Sequence, residues 1–167
     1  NDSDEKKEQE KKKQEQKNVP FVDVYLTLST HEPFNFPGRE KYKQQILEKY
    51  ELDDSEEAEN IRENPNIFAS FLYLDDCLRQ LFSYYKTRSD YENAIFVITG
   101  DHRIAPLDDK DNPLEKFTVP LIVYSPLQKT TKTMRGVVSH YDITPSIEAF
   151  LRGNYAFKVD SHCHWIG

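Results

Sequence analysis

Chemistry-bearing residues concentrate at Ile95-Phe-Val-Ile-Thr-Gly-Asp-His102, where an apolar run leads through Gly100 into a carboxylate and an imidazole side by side. Gly100 lets the chain turn closely. In open α/β sheets, ligands gather at the carboxyl ends of strands. A mixed oxygen and nitrogen donor pair suits Mn²⁺ or Zn²⁺. Asp101 and His102 therefore read as two ligands of one divalent ion, with Mg²⁺ or Ca²⁺ as alternatives. The competing reading has Asp101 capping the next turn and His102 simply facing water.

His31 follows the alternating segment Phe21 to Thr30 and is flanked by Pro33, which stiffens the loop carrying it. If the two strands are neighbours, His31 and His102 face one pocket and His31 donates to a non-bridging oxygen of an ester. Otherwise it is a loop histidine in solvent. His140 precedes Tyr-Asp-Ile-Thr-Pro-Ser146, where Asp142 or Thr144 can cap a helix that begins near Pro145. His140 then either orients a ligand or bonds a backbone carbonyl. His162, Cys163 and His164 lack the second spaced pair that a zinc site needs, so their role stays open. Asp75 is expected to bond a neighbouring loop rather than a metal.

The elements that must position these residues come from periodicity. Residues 21–30 alternate and are rich in β-branched and aromatic side chains, predicting a strand. The two prolines and the glycine of 31–38 predict a loop. A short helix is expected over 39–50 with Tyr42, Ile46 and Tyr50 on one side, followed by a solvated acidic excursion from Glu51 to Pro65. The strongest helix runs from Asn66 to about Lys86, where Ile67, Phe71, Leu74, Leu78, Leu81, Phe82 and Tyr85 recur at steps of three and four. Asp75 lies beside that stripe and Asp76 nearly opposite. Ala94 to Thr99 is continuously apolar, predicting a strand buried on both faces. A third strand is expected at Val119 to Tyr124, after a charged loop from Pro106 to Lys116. A last helix is expected within Ser139 to Gly153, packing through Ile147, Phe150 and Leu151. Strands alternating with helices in this order predict an α/β/α sandwich with a mainly parallel central sheet.

Composition narrows the classes. Residues 1–20 hold six acids and six lysines and almost nothing apolar, so they read as a flexible charged linker ahead of a domain over 21–167. Their charges cancel, leaving the net −7 on the remainder, which argues against a nucleic-acid groove lined by Lys and Arg. No apolar run is long enough to span a bilayer, and Cys77 and Cys163 make no disulfide framework. The chain taken literally is expected to be soluble, and its charged opening and its end at Trp165-Ile166-Gly167 predict that it was cut from a longer protein.

Thr-Gly-Asp-His102, Ser-Thr-His-Glu-Pro-Phe34, Tyr-Leu-Asp-Asp-Cys-Leu-Arg79, Phe-Thr-Val-Pro-Leu-Ile-Val-Tyr-Ser-Pro126 and Ser-His-Tyr-Asp-Ile-Thr-Pro-Ser146, in this order, resemble the sulfatase branch of the alkaline-phosphatase-like superfamily. More closely they resemble bacterial lipoteichoic-acid-synthase-like membrane sulfatases, over Phe21 to Gly167 as the carboxyl-terminal portion of the catalytic domain. The resemblance implies a metal-dependent transferase or hydrolase of phosphoric or sulfuric esters, lipid- or glycan-linked, with phosphoglycerol and phosphoethanolamine transfer among the variants. It implies that Asp101 and His102 bind the metal, that His31 contacts the phosphate or sulfate group, and that a Thr or Ser nucleophile and an acidic ligand lie upstream, in an amino-terminal half of the domain. This chain alone is then expected to be inactive. The resemblance also implies an inner-membrane anchor with the catalytic domain facing the periplasm or the outside. The alternative is a non-catalytic binding or structural α/β domain derived from such an enzyme.

Overall fold

The computed structural model describes residues 20–104, 107 and 117–155. The opening over 1–19, most of the 106–116 loop and the His162-Cys163-His164 trio lie outside the described residues. The chain divides into two units, 1–124 and 125–167.

In the first unit, helix α1 spans Arg39–Lys49 and follows Gly38, whose φ of 73° is left-handed and suits glycine. Helix α2, Glu56–Glu63, replaces the solvated excursion expected over 51–65. Ser55 caps it by accepting the Ala58 N–H at 3.2 Å, and Glu56, Glu57 and Glu59 sit at the positive end of the helix dipole. Ala58 and Ile61, three residues apart, are both buried. Two apolar positions in an acidic octapeptide are too few for periodicity to register; the serine cap was the available signal. Ser55→Ala should therefore destabilise the chain by about 1 kcal/mol in urea unfolding. An unchanged midpoint at an unchanged m-value would show that the cap contributes nothing.

Helix α3, Pro65–Tyr85, agrees with the predicted helix to one residue at each end, with proline in its first turn. Its two carboxylates are exchanged relative to expectation. Tyr42 of α1 donates to Asp76 Oδ2 at 2.9 Å, whereas Asp75 lies further out and pairs with Arg79 at 2.6 Å. The predicted stripe was only one packing face. A second, through Ala69, Tyr73 and Asp76, receives α1: Tyr73 stacks on Phe36 at 4.8 Å and meets the edge of Tyr42 at 5.5 Å. Phe34, Phe36, Ile67 and Ala69 form the buried cluster at this junction.

Strands β1, Phe96–Thr99, and β2, Leu121–Tyr124, pair antiparallel, from Phe96 opposite Tyr124 to Thr99 opposite Leu121. The expected mainly parallel sheet is not what the described strands form. An apolar run signals burial but carries no information on direction. Nor is β1 buried on both faces: it is half-buried and β2 is exposed, because α3 covers one side, with Phe82 and Tyr85 at 4.8 and 5.1 Å from Phe96.

The predicted strand over 21–30 is likewise absent as a paired strand. Residues 20–28 belong to no helix or ladder, and a turn begins at 29. The segment stays exposed, and alternation shows only in its contacts: Tyr25 bonds the Tyr85 hydroxyl at 3.1 Å and Phe21 lies under Arg88, while Val22 and Val24 are 86% and 88% exposed. β-Propensity prepares a chain for pairing, but a strand exists only where a neighbour accepts its hydrogen bonds.

In the second unit, a single 3₁₀ turn, His140–Asp142, leads into helix α4, Ile143–Tyr155, with Pro145 buried in its first turn as expected. Ile147 and Phe150, expected to pack, are among the exposed large hydrophobic residues. No helix among the described residues is long and apolar enough to cross a membrane.

Candidate active site

Two chain segments bring His31 and His102 together, with ring centroids 6.5 Å apart and planes at 77°. His31 sits in a turn: its N–H donates to the Leu28 carbonyl at 3.2 Å and its own carbonyl accepts from Phe34 N–H at 2.8 Å. Phe34 adopts φ 55°, a left-handed conformation unusual for an aromatic residue, and is held there by burial beside Phe36. Burial of these two rings anchors the loop just behind His31. On the other side, β1 ends at Thr99 and the chain passes Gly100, where an added Cβ would lie 3.2 Å from a Val119 methyl. Glycine permits the close approach that sets Asp101 and His102 at the strand end.

Short bonds fix the protons. His31 Nδ1 is 2.8 Å from the Glu32 carbonyl, and His102 Nδ1 is 2.8 Å from the Arg103 carbonyl. A carbonyl only accepts, so both rings carry a proton on Nδ1. In the neutral ring the Nε2 lone pair is then available, which is how protein imidazoles are commonly prepared as ligands. These supporting groups carried no sequence signal, because every residue supplies a carbonyl whatever its side chain.

The His102 backbone N–H donates to Asp101 Oδ1 at 2.9 Å, leaving Oδ2 3.8 Å from His102 Nε2. That N–H is the leading cause of a carboxyl pKa below the ordinary value; the Asp101 amide and the neighbouring His102 and His31 rings add to it and outweigh desolvation. Asp101 is 74% and His102 64% exposed in their side chains, so the group opens to solvent.

The donor chemistry fits a divalent cation in part: one carboxylate oxygen and one prepared imidazole nitrogen lie on consecutive residues. Among the described residues, however, no three His, Cys, Asp or Glu side chains are arranged to hold a metal ion. The pair supplies part of a coordination shell, and a zinc-type site generally takes three protein ligands.

His140 lies in the second unit, in the 3₁₀ turn. Its neighbour Asp142 is buried and acts structurally: it accepts from Ser139 N–H at 2.9 Å while Ser139 Oγ accepts from Tyr141 N–H at 3.3 Å. The capping box thus belongs to the 3₁₀ turn, with Ser139 at its N-cap and Asp142 immediately before α4. Elsewhere, a surface depression lined by Glu48, Lys49, Glu51, Leu52, Asp53 and Asp54 shares no residue with the histidine cluster, and its carboxylates outnumber its one lysine, which disfavours an anionic ester.

The model of the sulfatase family matches residues 3–152. No curated protein and no solved structure matches the chain.

Proposed function

Because the chain belongs to the sulfatase family, we propose that it forms the carboxyl-terminal part of the catalytic domain of a metal-dependent ester hydrolase or transferase. Sulfatase-like hydrolysis is the family's activity, and its members are generally metal-dependent and act on sulfate esters. The finer reading includes phosphoglycerol or phosphoethanolamine transfer, a lipoteichoic-acid-synthase-like affinity, a complete domain with a mainly parallel sheet, and an inner-membrane anchor with the site outside. The observation that carries the reading is the juxtaposition of His31 with His102 and Asp101 at the mouth of one strand.

In this reading Asp101 and His102 would hold one divalent ion, Mn²⁺ or Zn²⁺. The bound ion supplies Lewis acidity toward the ester oxygen and the nucleophile. His31, with Nδ1–H bound to Glu32, donates from Nε2 when that nitrogen is also protonated, placing a cationic donor against a non-bridging oxygen of the phosphate or sulfate. The exposure of Asp101 and His102 suits a substrate that arrives from solvent, with the remaining acidic ligand and a Thr or Ser nucleophile contributed from outside the present residues.

The test compares the intact protein, stripped of metal and resupplied with Mn²⁺ or Zn²⁺, with the 167-residue chain alone, on aryl sulfate and aryl phosphate esters. Metal-restored turnover is expected from the intact protein only. No metal-dependent turnover on either ester would sink the enzymatic reading and favour a binding or structural domain. Turnover by the chain alone, abolished in both Asp101→Ala and His102→Ala, would instead place the nucleophile within 1–167, with Thr30 and Thr99 the first positions to substitute.

A further inference from the structure

The second unit differs in charge from the rest of the protein. Residues 125–167 carry five Lys or Arg against three Asp or Glu, a net +2 within a chain of net −7, so residues 1–124 carry −9. Three of those five cations, Lys129, Lys132 and Arg135, fall within seven residues, and no acid lies between Ser125 and Tyr141. All of 127–138 is exposed and has neither helix nor strand. Its ends are pinned, by Gln128 N–H donating to the Ser125 carbonyl at 3.0 Å and by the Ser139–Asp142 capping box. Between those anchors the chain holds apolar side chains out to water: Val137 is 96% exposed, and Met134 and Val138 are exposed beside it.

We propose that the 127–138 loop is a docking surface for an anionic lipid bilayer, with its cations at the headgroups and Met134, Val137 and Val138 entering the interface. Two observations converge on this partner. The cations match an anionic surface, toward which each basic side chain contributes within about a Debye length, ~10 Å at 0.1 M salt. The apolar side chains between and after those cations gain nothing from a dissolved polyanion but do gain from leaving water at the acyl boundary. Long basic side chains keep their heads at the polar surface while their stems follow the apolar residues inward. The inference does not depend on the reading of the histidine site.

Cosedimentation of the full chain with vesicles tests it, using phosphatidylcholine alone and phosphatidylcholine containing a third phosphatidylglycerol. Binding is expected only to the anionic vesicles and should weaken with salt. Lys129→Gln, Lys132→Gln and Arg135→Gln together should lower it roughly 100-fold, at about fivefold per cation. Val137→Asp should lower it at least ~10-fold. Unchanged helical circular dichroism would show that these exposed substitutions leave the fold intact. Absent binding to anionic vesicles, binding indifferent to the triple substitution, or binding that needs the cations but not Val137 would each overturn the proposal. The last outcome would mark a site for soluble polyanions, checked with a sulfated polysaccharide.

Discussion

Replacing Asp101 by Ala in the intact protein should lower bound metal and turnover together, turnover by ~10³-fold, the scale of several kcal/mol of lost charge stabilisation in the transition state. The position makes the expectation specific. Asp101 Oδ1 is engaged by the His102 N–H at 2.9 Å, so the carboxylate is held in orientation with Oδ2 3.8 Å from His102 Nε2. Its pKa lies below the ordinary 3.8, chiefly because of that same N–H, so the group is anionic throughout the range in which an enzyme would be assayed. The alanine variant removes one donor and leaves His102 as the sole ligand of the pair. Because the side chain is largely exposed, the substitution should not unfold the chain, and an unchanged thermal transition is the accompanying control. Elemental analysis decides: equal metal occupancy in wild type and variant would remove Asp101 from the coordination shell.

His31→Ala in the intact protein should behave differently, keeping its metal while losing turnover by ~10²-fold, the size expected for one well-placed donor. With Nδ1–H committed to the Glu32 carbonyl, His31 presents only Nε2 to the space it shares with His102. Doubly protonated, it is a donor to an anionic oxygen; singly protonated, it has a lone pair and could take a metal. The loop behind it is secured by the buried Phe34 and Phe36 rather than by His31 itself, so alanine should leave the backbone in place. His31→Gln, which retains an amide donor, should recover part of the activity that alanine loses. Metal lost together with activity in the alanine variant would move His31 among the ligands.

The chain's legibility was uneven, and the unevenness has physical causes. α3 was readable because seven apolar residues over 21 positions repeat at helical spacing, and α4 because Pro145 can occupy only the first turn of a helix. α2 was not readable, since its core contribution is two residues and its remaining sequence is that of a solvated loop. Asp75 and Asp76 show a similar limit: a single apolar stripe locates one partner of a helix, while the second partner, α1, brought Tyr42 to Asp76 from 34 residues away.

The candidate site divides along the same line. Sequence alone placed Asp101 and His102 after an apolar strand and Gly100, because an apolar run, a residue without Cβ and adjacent polar donors are all local properties. It also marked His31 as a loop residue stiffened by proline. Their meeting was not local: residues 31 and 102 are brought together by Phe34 and Phe36 packing under α3 and by Gly100 passing close to Val119. Strand direction and pairing were equally beyond local reading. The apolar run at 96–99 and the alternating run at 21–28 have the same propensity for extended chain, yet one found a ladder partner in 121–124 and the other lies without one, because hydrogen-bond pairing depends on which backbone the tertiary packing lays alongside.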